Sequence, residues 1–198
     1  TINNVSGTVQ LAGALITSDI THTSGTFDAV SHNVNCTGFT STSGTTRTLS
    51  MGSGLWTSEG AGTIWNVTFT GLTFNKGTAN IVVSYDGGAT ATFQGGGLTY
   101  NKLTFAGFGT GNFQIQSNNT FSEIASTRPN GYTIALAATT QTVGAFTATG
   151  STGKLITISG TSASSPATLI FTGPTFANVN FIVPTSLRVY DLFLDWYA

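Results

Sequence analysis

The feature that most constrains this chain is a cadence. Short runs of alternating apolar and polar residues recur along it, separated by clusters of Gly, Ser, Thr and Asn. It is clearest between Gly97 and Gly173, where two versions of one unit follow each other. Lys102 to Gly107 aligns with Gly144 to Gly150, and Asn112 to Gln116 aligns with Lys154 to Ile158, with similar turn residues between. Alternation with a period of two is the mark of strands with one buried face, and the intervening clusters are turn-formers.

Earlier copies run Cys36 to Thr42, Arg47 to Met51 and Leu55 to Thr57, then Thr63 to Phe69, Asn80 to Ser84 and Ala89 to Phe93. Marking each unit by the start of its second run gives Arg47, Asn80, Asn112 and Lys154, with two nearly equal intervals and then a longer one. The long interval holds Thr127-Arg128-Pro129-Asn130-Gly131 and then Tyr132 to Ala137, which is expected to be an insertion or an added strand. A period of about 30 to 35 residues, built only from strands and turns, indicates a stacked architecture. Helical repeats do not fit: Thr, Val, Ile and Phe fill the runs, and no window carries an apolar stripe of helical period.

The fold expected is all-β, a right-handed parallel β-helix (β-solenoid) with about three short strands per coil. Residues 1–33 are expected to be an irregular cap, 34–185 the coils and 186–198 an aromatic-rich terminal strand or cap. The last of these reads SLRVYDLFLDWYA, and Ala177 to Val183 before it begins another run. Two inward columns are expected: Leu49, Ile81, Phe113 and Leu155 in one, Phe39, Phe69, Phe105 and Phe146 in the other.

Composition narrows function. Charged residues make up only 7% of the 198, with a formal net charge of −1 and six Lys and Arg in all. Scattered cations give no footprint for nucleic acid or an anionic membrane. The single cysteine, Cys36, excludes an internal disulfide and reads as a small buried hydrophobe. No apolar run is long enough to span a bilayer, and no basic start followed by an apolar segment marks a secretory leader. Opening on Thr1 fits a piece processed from something longer, so a missing leader carries little weight.

The stretch Phe93 to Thr120, with its Gly95-Gly96-Gly97 and Leu103-Thr104-Phe105-Ala106-Gly107, and the stretch Gly153 to Leu169 resemble the Gly/Thr-rich β-solenoid segments of tailed-phage structural proteins and of bacterial surface adhesins. Val189-Tyr190-Asp191-Leu192 is similar to the strand that closes such segments. The resemblance covers roughly residues 34–198. It implies a fibre, spike, decoration or adhesive stalk, and it brings no catalytic residues with it.

Parallel β-helices also carry glycan-cleaving enzymes, so the acids matter: Asp19, Asp28, Glu59, Asp86, Glu123, Asp191 and Asp195. Glycoside hydrolysis needs two carboxylates about 5 to 9.5 Å apart, and Glu59 with Glu123, two coils apart on one face, is the candidate pair. Asp191 and Asp195 flank aromatics and read as a sugar site or an end cap. His22 and His32 lie in the irregular start without Cys or carboxylate partners, a weak basis for a metal. Gly95-Gly96-Gly97 precedes a strand, which suits a tight corner and not a phosphate loop. Asn4, Asn35, Asn66 and Asn118 open Asn-X-Ser/Thr sequons. Trp56, Trp65, Trp196, Tyr85, Tyr100 and Tyr132 are divided between core positions and stacking platforms for sugar.

The function expected is therefore non-enzymatic: a structural or adhesive β-solenoid of a virion or extracellular surface, without catalytic, metal or cofactor residues. Its expected partners are further copies of itself, other virion proteins, or a host-surface glycan, with no nucleic acid and no membrane insertion. A glycan-binding or glycan-cleaving β-helix and a secreted bacterial adhesin are the alternatives.

Overall fold

A computed structural model describes residues 1–148, 154, 156–173 and 187–191. Among these residues the chain is all-β, with parallel strands stacked as a β-solenoid of about seven turns. Each turn crosses three walls in the same order. The first wall carries the inward column Ile20, Phe39, Trp65, Phe93, Ile115 and Leu136. The second carries Phe27, Leu49 and Phe74, and in later turns Tyr100, Phe121, Val143 and Phe171. The third carries Leu15, Val34, Trp56, Ile81, Leu103, Ile124 and Phe146.

The columns are apolar because these positions face inward on every turn, and burial is what fixes the register. Trp56 and Trp65 meet edge to face at 5.7 Å in the centre of the early turns, with Phe39 and Phe93 packed against Trp65 at 4.8 and 5.8 Å. Each buried ring contributes about 1.5–3 kcal/mol by area. The outer positions are polar. On the second wall they form a file of threonines, Thr26, Thr48 and Thr73 in register, and Thr99, Thr120 and Thr142 in register further on. Branched side chains suit a strand, and their outward hydroxyls meet water without charge.

The repeat differs from the one the sequence suggests. The first-wall column advances from Ile20 to Phe39, Trp65, Phe93, Ile115 and Leu136, and every one of these turns is shorter than the expected period. Leu49, Ile81 and Phe113 are buried, but they sit on the second, third and first walls, so they do not form one column. The interval from Leu49 to Ile81, like that from Ile81 to Phe113, is one turn plus one wall. Because every wall alternates in the same way, that step lands on an equivalent-looking strand and mimics a period. Leu155 lies outside the described residues. The second expected column fails for another reason: Phe69 stands in a corner, 68% exposed. Phe39 is on the first wall, while Phe105 pairs with Val83 and Ser126 and not with Phe146.

Two segments that the sequence sets apart belong to the stack. Tyr132–Leu136, expected as an insertion or an added strand, is a strand, and it takes an ordinary place on the first wall between Phe113–Gln116 and Ile156–Gly160. The coils also begin before residue 34, since Asp19–Asp28 pairs with Gly38–Ser41 and Arg47–Ser50 as it crosses two walls. Ile2–Gln10 lies along its edge, mostly exposed, as the terminal strand of the second wall. At the other end Leu187–Asp191 pairs with Ala167–Phe171; residues 174–186 and 192–198, with the run at Ala177 and the aromatic tail, lie outside the described residues.

Corners set the length of each turn. In the two turns after Asp19–Asp28 the second wall has its own strand, Arg47–Ser50 and then Leu72–Asn75, bounded by loops. From Thr99–Ala106 onward the chain turns from second wall to third without leaving the ladder, with Tyr100 and Leu103 both inward and Asn101 and Lys102 at the bend. Asparagines stitch corner to corner. The Oδ1 atoms of Asn33, Asn80, Asn112 and Asn118 accept from the backbone N–H of Leu55, Lys102, Thr133 and Thr140 on the next turn, at 2.8–3.3 Å.

Two outcomes test this packing. Trp65→Ala removes the ring at the centre of the aromatic cluster and is expected to cost about 3–5 kcal/mol, measured from the denaturant midpoint. Asn112→Ala withdraws one corner bond and is expected to cost about 1 kcal/mol by the same measurement.

Candidate functional site

The residues that sequence reasoning selected for chemistry are dispersed. Glu59 follows the third-wall strand Leu55–Ser58, and Glu123 lies in Thr120–Ser126, three turns further along and not two. At about 4.8 Å per turn that is roughly 14 Å along the axis alone, beyond the reach of a glycosidase pair. Each is otherwise engaged: Glu59 accepts from Asn35 Nδ2 at 3.2 Å, and Glu123 accepts from Lys102 Nζ at 2.9 Å and from the Thr147 hydroxyl. Burial would raise the Glu123 carboxyl, but Thr147 and Lys102 outweigh it and hold the group below its ordinary range. Asp86 caps a corner, accepting from the Phe108 N–H at 2.6 Å. Asp191 ends the last described strand, and Asp195 and Trp196 lie outside the described residues.

His22 is buried on the inner face of the first corner, its Nε2 3.1 Å from the Gly25 carbonyl and its Nδ1 3.4 Å from the Ser41 hydroxyl. Burial, with the Arg47 charge nearby, lowers its pKa despite the Gly25 contact. His32 is half-buried further along the chain. Among the described residues, no three His, Cys, Asp or Glu side chains cluster as metal ligands would. Cys36 is buried beside Ser58, and burial pushes its thiol up. Trp56, Trp65, Tyr100 and Tyr132 are all core, which removes them as sugar platforms, and Tyr85 is half-buried. Of the sequon asparagines, Asn4 and Asn118 are exposed, Asn35 and Asn66 half-buried.

What the topology does bring together lies at the edge between the first and second walls. Three successive corners, Val67-Thr68-Phe69-Thr70, Gln94 to Gly97, and Ser117-Asn118, border an open groove of about 430 Å³. The corners differ in length. The first bulges outward and carries Phe69, while the second is drawn in by glycines, with φ of 68° at Gly96 and 77° at Gly97. A Cβ at Gly96 would lie 2.5 Å from the Val67 carbonyl oxygen, so this part of the groove must be bare backbone. The sequence marked the Gly triplet as a corner. It held no sign that the neighbouring corner would turn a phenylalanine to solvent.

The bulge is held from behind. Arg47, 1% exposed, donates from Nη2 to the Thr68 carbonyl and from Nη1 to the Thr70 carbonyl, each at 2.7 Å. Its Nε bonds the Ser41 hydroxyl at 2.7 Å and Nη2 the Ser41 carbonyl at 2.8 Å, with Nη1 also reaching the carbonyls of Ser43 and Thr45. A buried cation without a carboxylate is tolerated here because backbone dipoles from two successive corners surround it. On the far side of the groove, Asn119 and Gln141 form a second buried polar cluster. Asn119 Nδ2 donates to Gln141 Oε1 at 3.1 Å, and Gln141 Nε2 donates to the Ser117 carbonyl at 2.6 Å. Ser117 itself has φ of 70°, a left-handed conformation that a non-glycine residue keeps only when its surroundings hold it there.

Arg47→Ala leaves several carbonyls without donors and opens a cavity, so a loss of about 3 kcal/mol or more is expected, with Arg47→Lys recovering part of it; chemical denaturation measures both. The lowered pKa of His22 carries a sign. Below about pH 6.5 the unfolded chain takes up a proton that the folded chain resists, so stability falls with acidification from there towards the folded pKa. His22→Gln should flatten that part of the stability profile in melts run across the pH range. No family model matches the chain, and neither a curated protein nor a solved structure shows detectable similarity to it.

Proposed function

We propose that this protein is a non-enzymatic structural or adhesive element of a virion, a tail fibre, spike or capsid-decorating component whose task is to be stiff and to present a neutral polar surface. The observation that carries the reading is the uninterrupted ladder: one sheet of nine parallel strands runs from Leu15–Ile16 on the third wall to Ala167–Phe171 and Leu187–Asp191 on the second. Such a stack resists bending and leaves few openings for proteases. Its surface, with charged residues at 7% of the chain, suits weak contacts repeated over many copies.

The separation of Glu59 from Glu123 supports a role without bond cleavage. The virion setting rests on the likeness of Phe93 to Thr120 and of Gly153 to Leu169 to phage solenoid segments. Partners follow from the edges. The exposed edge strand Ile2–Gln10 offers unpaired backbone groups, which a further copy or a neighbouring virion protein would cover.

Two measurements test the proposal. Antibody-gold labelling of intact particles in electron micrographs should decorate an appendage or the capsid exterior, and the isolated protein should resist proteolysis under native conditions. Release of reducing sugar from host polysaccharide, abolished by Glu59→Gln or Glu123→Gln, would overturn the structural reading in favour of an enzyme.

A further inference from the structure

We infer that the groove beside Phe69 is a binding site for a neutral sugar unit of a surface glycan. The inference deepens the adhesive reading and rests on it, by giving the neutral surface a specific point of attachment.

The first argument is the ring. Phe69 is 68% exposed, yet the carbonyls on either side of it, those of Thr68 and Thr70, are both bonded to the buried Arg47. An apolar side chain on a loose turn could fold back onto the body of the protein. On this corner the backbone is fixed, so the ring stays presented and little ordering is needed when something stacks on it.

The second argument is the set of polar groups opposite. Asn118 Oδ1 accepts from the Thr140 N–H at 2.8 Å, which orients the carboxamide and leaves Nδ2 as a donor. That Nδ2, the Gln94 carboxamide and the Ser117 hydroxyl make no hydrogen bond within the described residues. Gly96 and Gly97 keep the surface between them and Phe69 flat. A pyranose has a C–H face that packs on an aromatic ring and a rim of hydroxyls that both donate and accept. A ring facing amide and hydroxyl groups across bare backbone is complementary to both features.

The third argument is charge. None of the residues lining the groove is ionisable, and Arg47 is sealed behind the corner with its donors spent on carbonyls and the Ser41 hydroxyl. An acidic sugar or a nucleic-acid strand would find nothing to neutralise it. Another exposed aromatic, Phe108 at 77%, lies outside the groove, on the corner after the third-wall part of Thr99–Ala106, and serves as a built-in control.

The test is calorimetric titration of the intact protein with four neutral tetrasaccharides, cellotetraose, xylotetraose, mannotetraose and N-acetylchitotetraose, and with tetragalacturonate as the acidic counterpart. The expected result is saturable binding of at least one neutral probe at up to millimolar affinity and none of the acidic one. Phe69→Ala should weaken that binding by about tenfold or more and Gln94→Ala by a smaller factor, while Phe69→Trp retains it and Phe108→Ala leaves it unchanged. Matching circular dichroism spectra establish that each variant is folded. The inference is overturned if no neutral probe binds, if tetragalacturonate binds as well as the neutral ones, or if Phe69→Ala binds as the unaltered protein does. None of these results alters particle labelling or protease resistance, so the site can fail while the scaffold reading stands.

Discussion

Everything in this molecule depends on parallel strands staying in register from one turn to the next. A parallel ladder satisfies backbone groups only above and below, so each turn needs its neighbours, and the inward columns fix which residue lies over which. The columns need not be uniform. The third wall passes from Leu15 through Trp56 to Phe146, and the turn from Ile20 to Phe39 is shorter than the one from Trp65 to Phe93, yet strand alternation holds the apolar set inside. The variation is absorbed at the corners, which is why these are the places where the molecule departs from a plain repeat.

The corners also hold its buried polar chemistry. Arg47 binds carbonyls of two successive turns, Asn119 and Gln141 bridge two more, and Arg128, 3% exposed, donates to the Gly111 carbonyl while its guanidinium lies 4.8 Å over the Phe113 ring and 5.2 Å over that of Tyr132. Where strands leave the ladder, carbonyls lose their partners, and these side chains supply donors. A buried group bonded to two turns at once costs much to misplace, so it specifies which corner follows which, a discrimination that interchangeable apolar residues do not provide.

The fold class was legible in the sequence because alternation and turn chemistry are local signals. The period was not, because three walls with the same alternation make one turn look like one turn and a third. The commonest step is written in the outward residues: Asn33, Asn80 and Asn118 each bond a residue 22 positions ahead, and Thr26 to Thr48 and Thr120 to Thr142 repeat the same step. Apolar positions drew attention because they make the core, yet all walls share them. The groove was hidden for a related reason. Phe69 closes an alternating run, Thr63 to Phe69, whose parity favours the inside, and only the length of the corner after Val67, together with the reach of Arg47 from the turn before, turns it out.

The continuity of the third wall has a mechanical consequence. The hydrogen bonds between turns lie along the axis, so tension applied end to end loads the interfaces in series and the weakest gives way first. Yielding would proceed as a series of separate events, each paying out about 22 residues, or roughly 70 Å of extended chain, while the turns not yet reached keep their shape. A body built this way is rigid under small loads and lengthens in instalments under large ones, which converts a sudden pull into a succession of small dissipative steps.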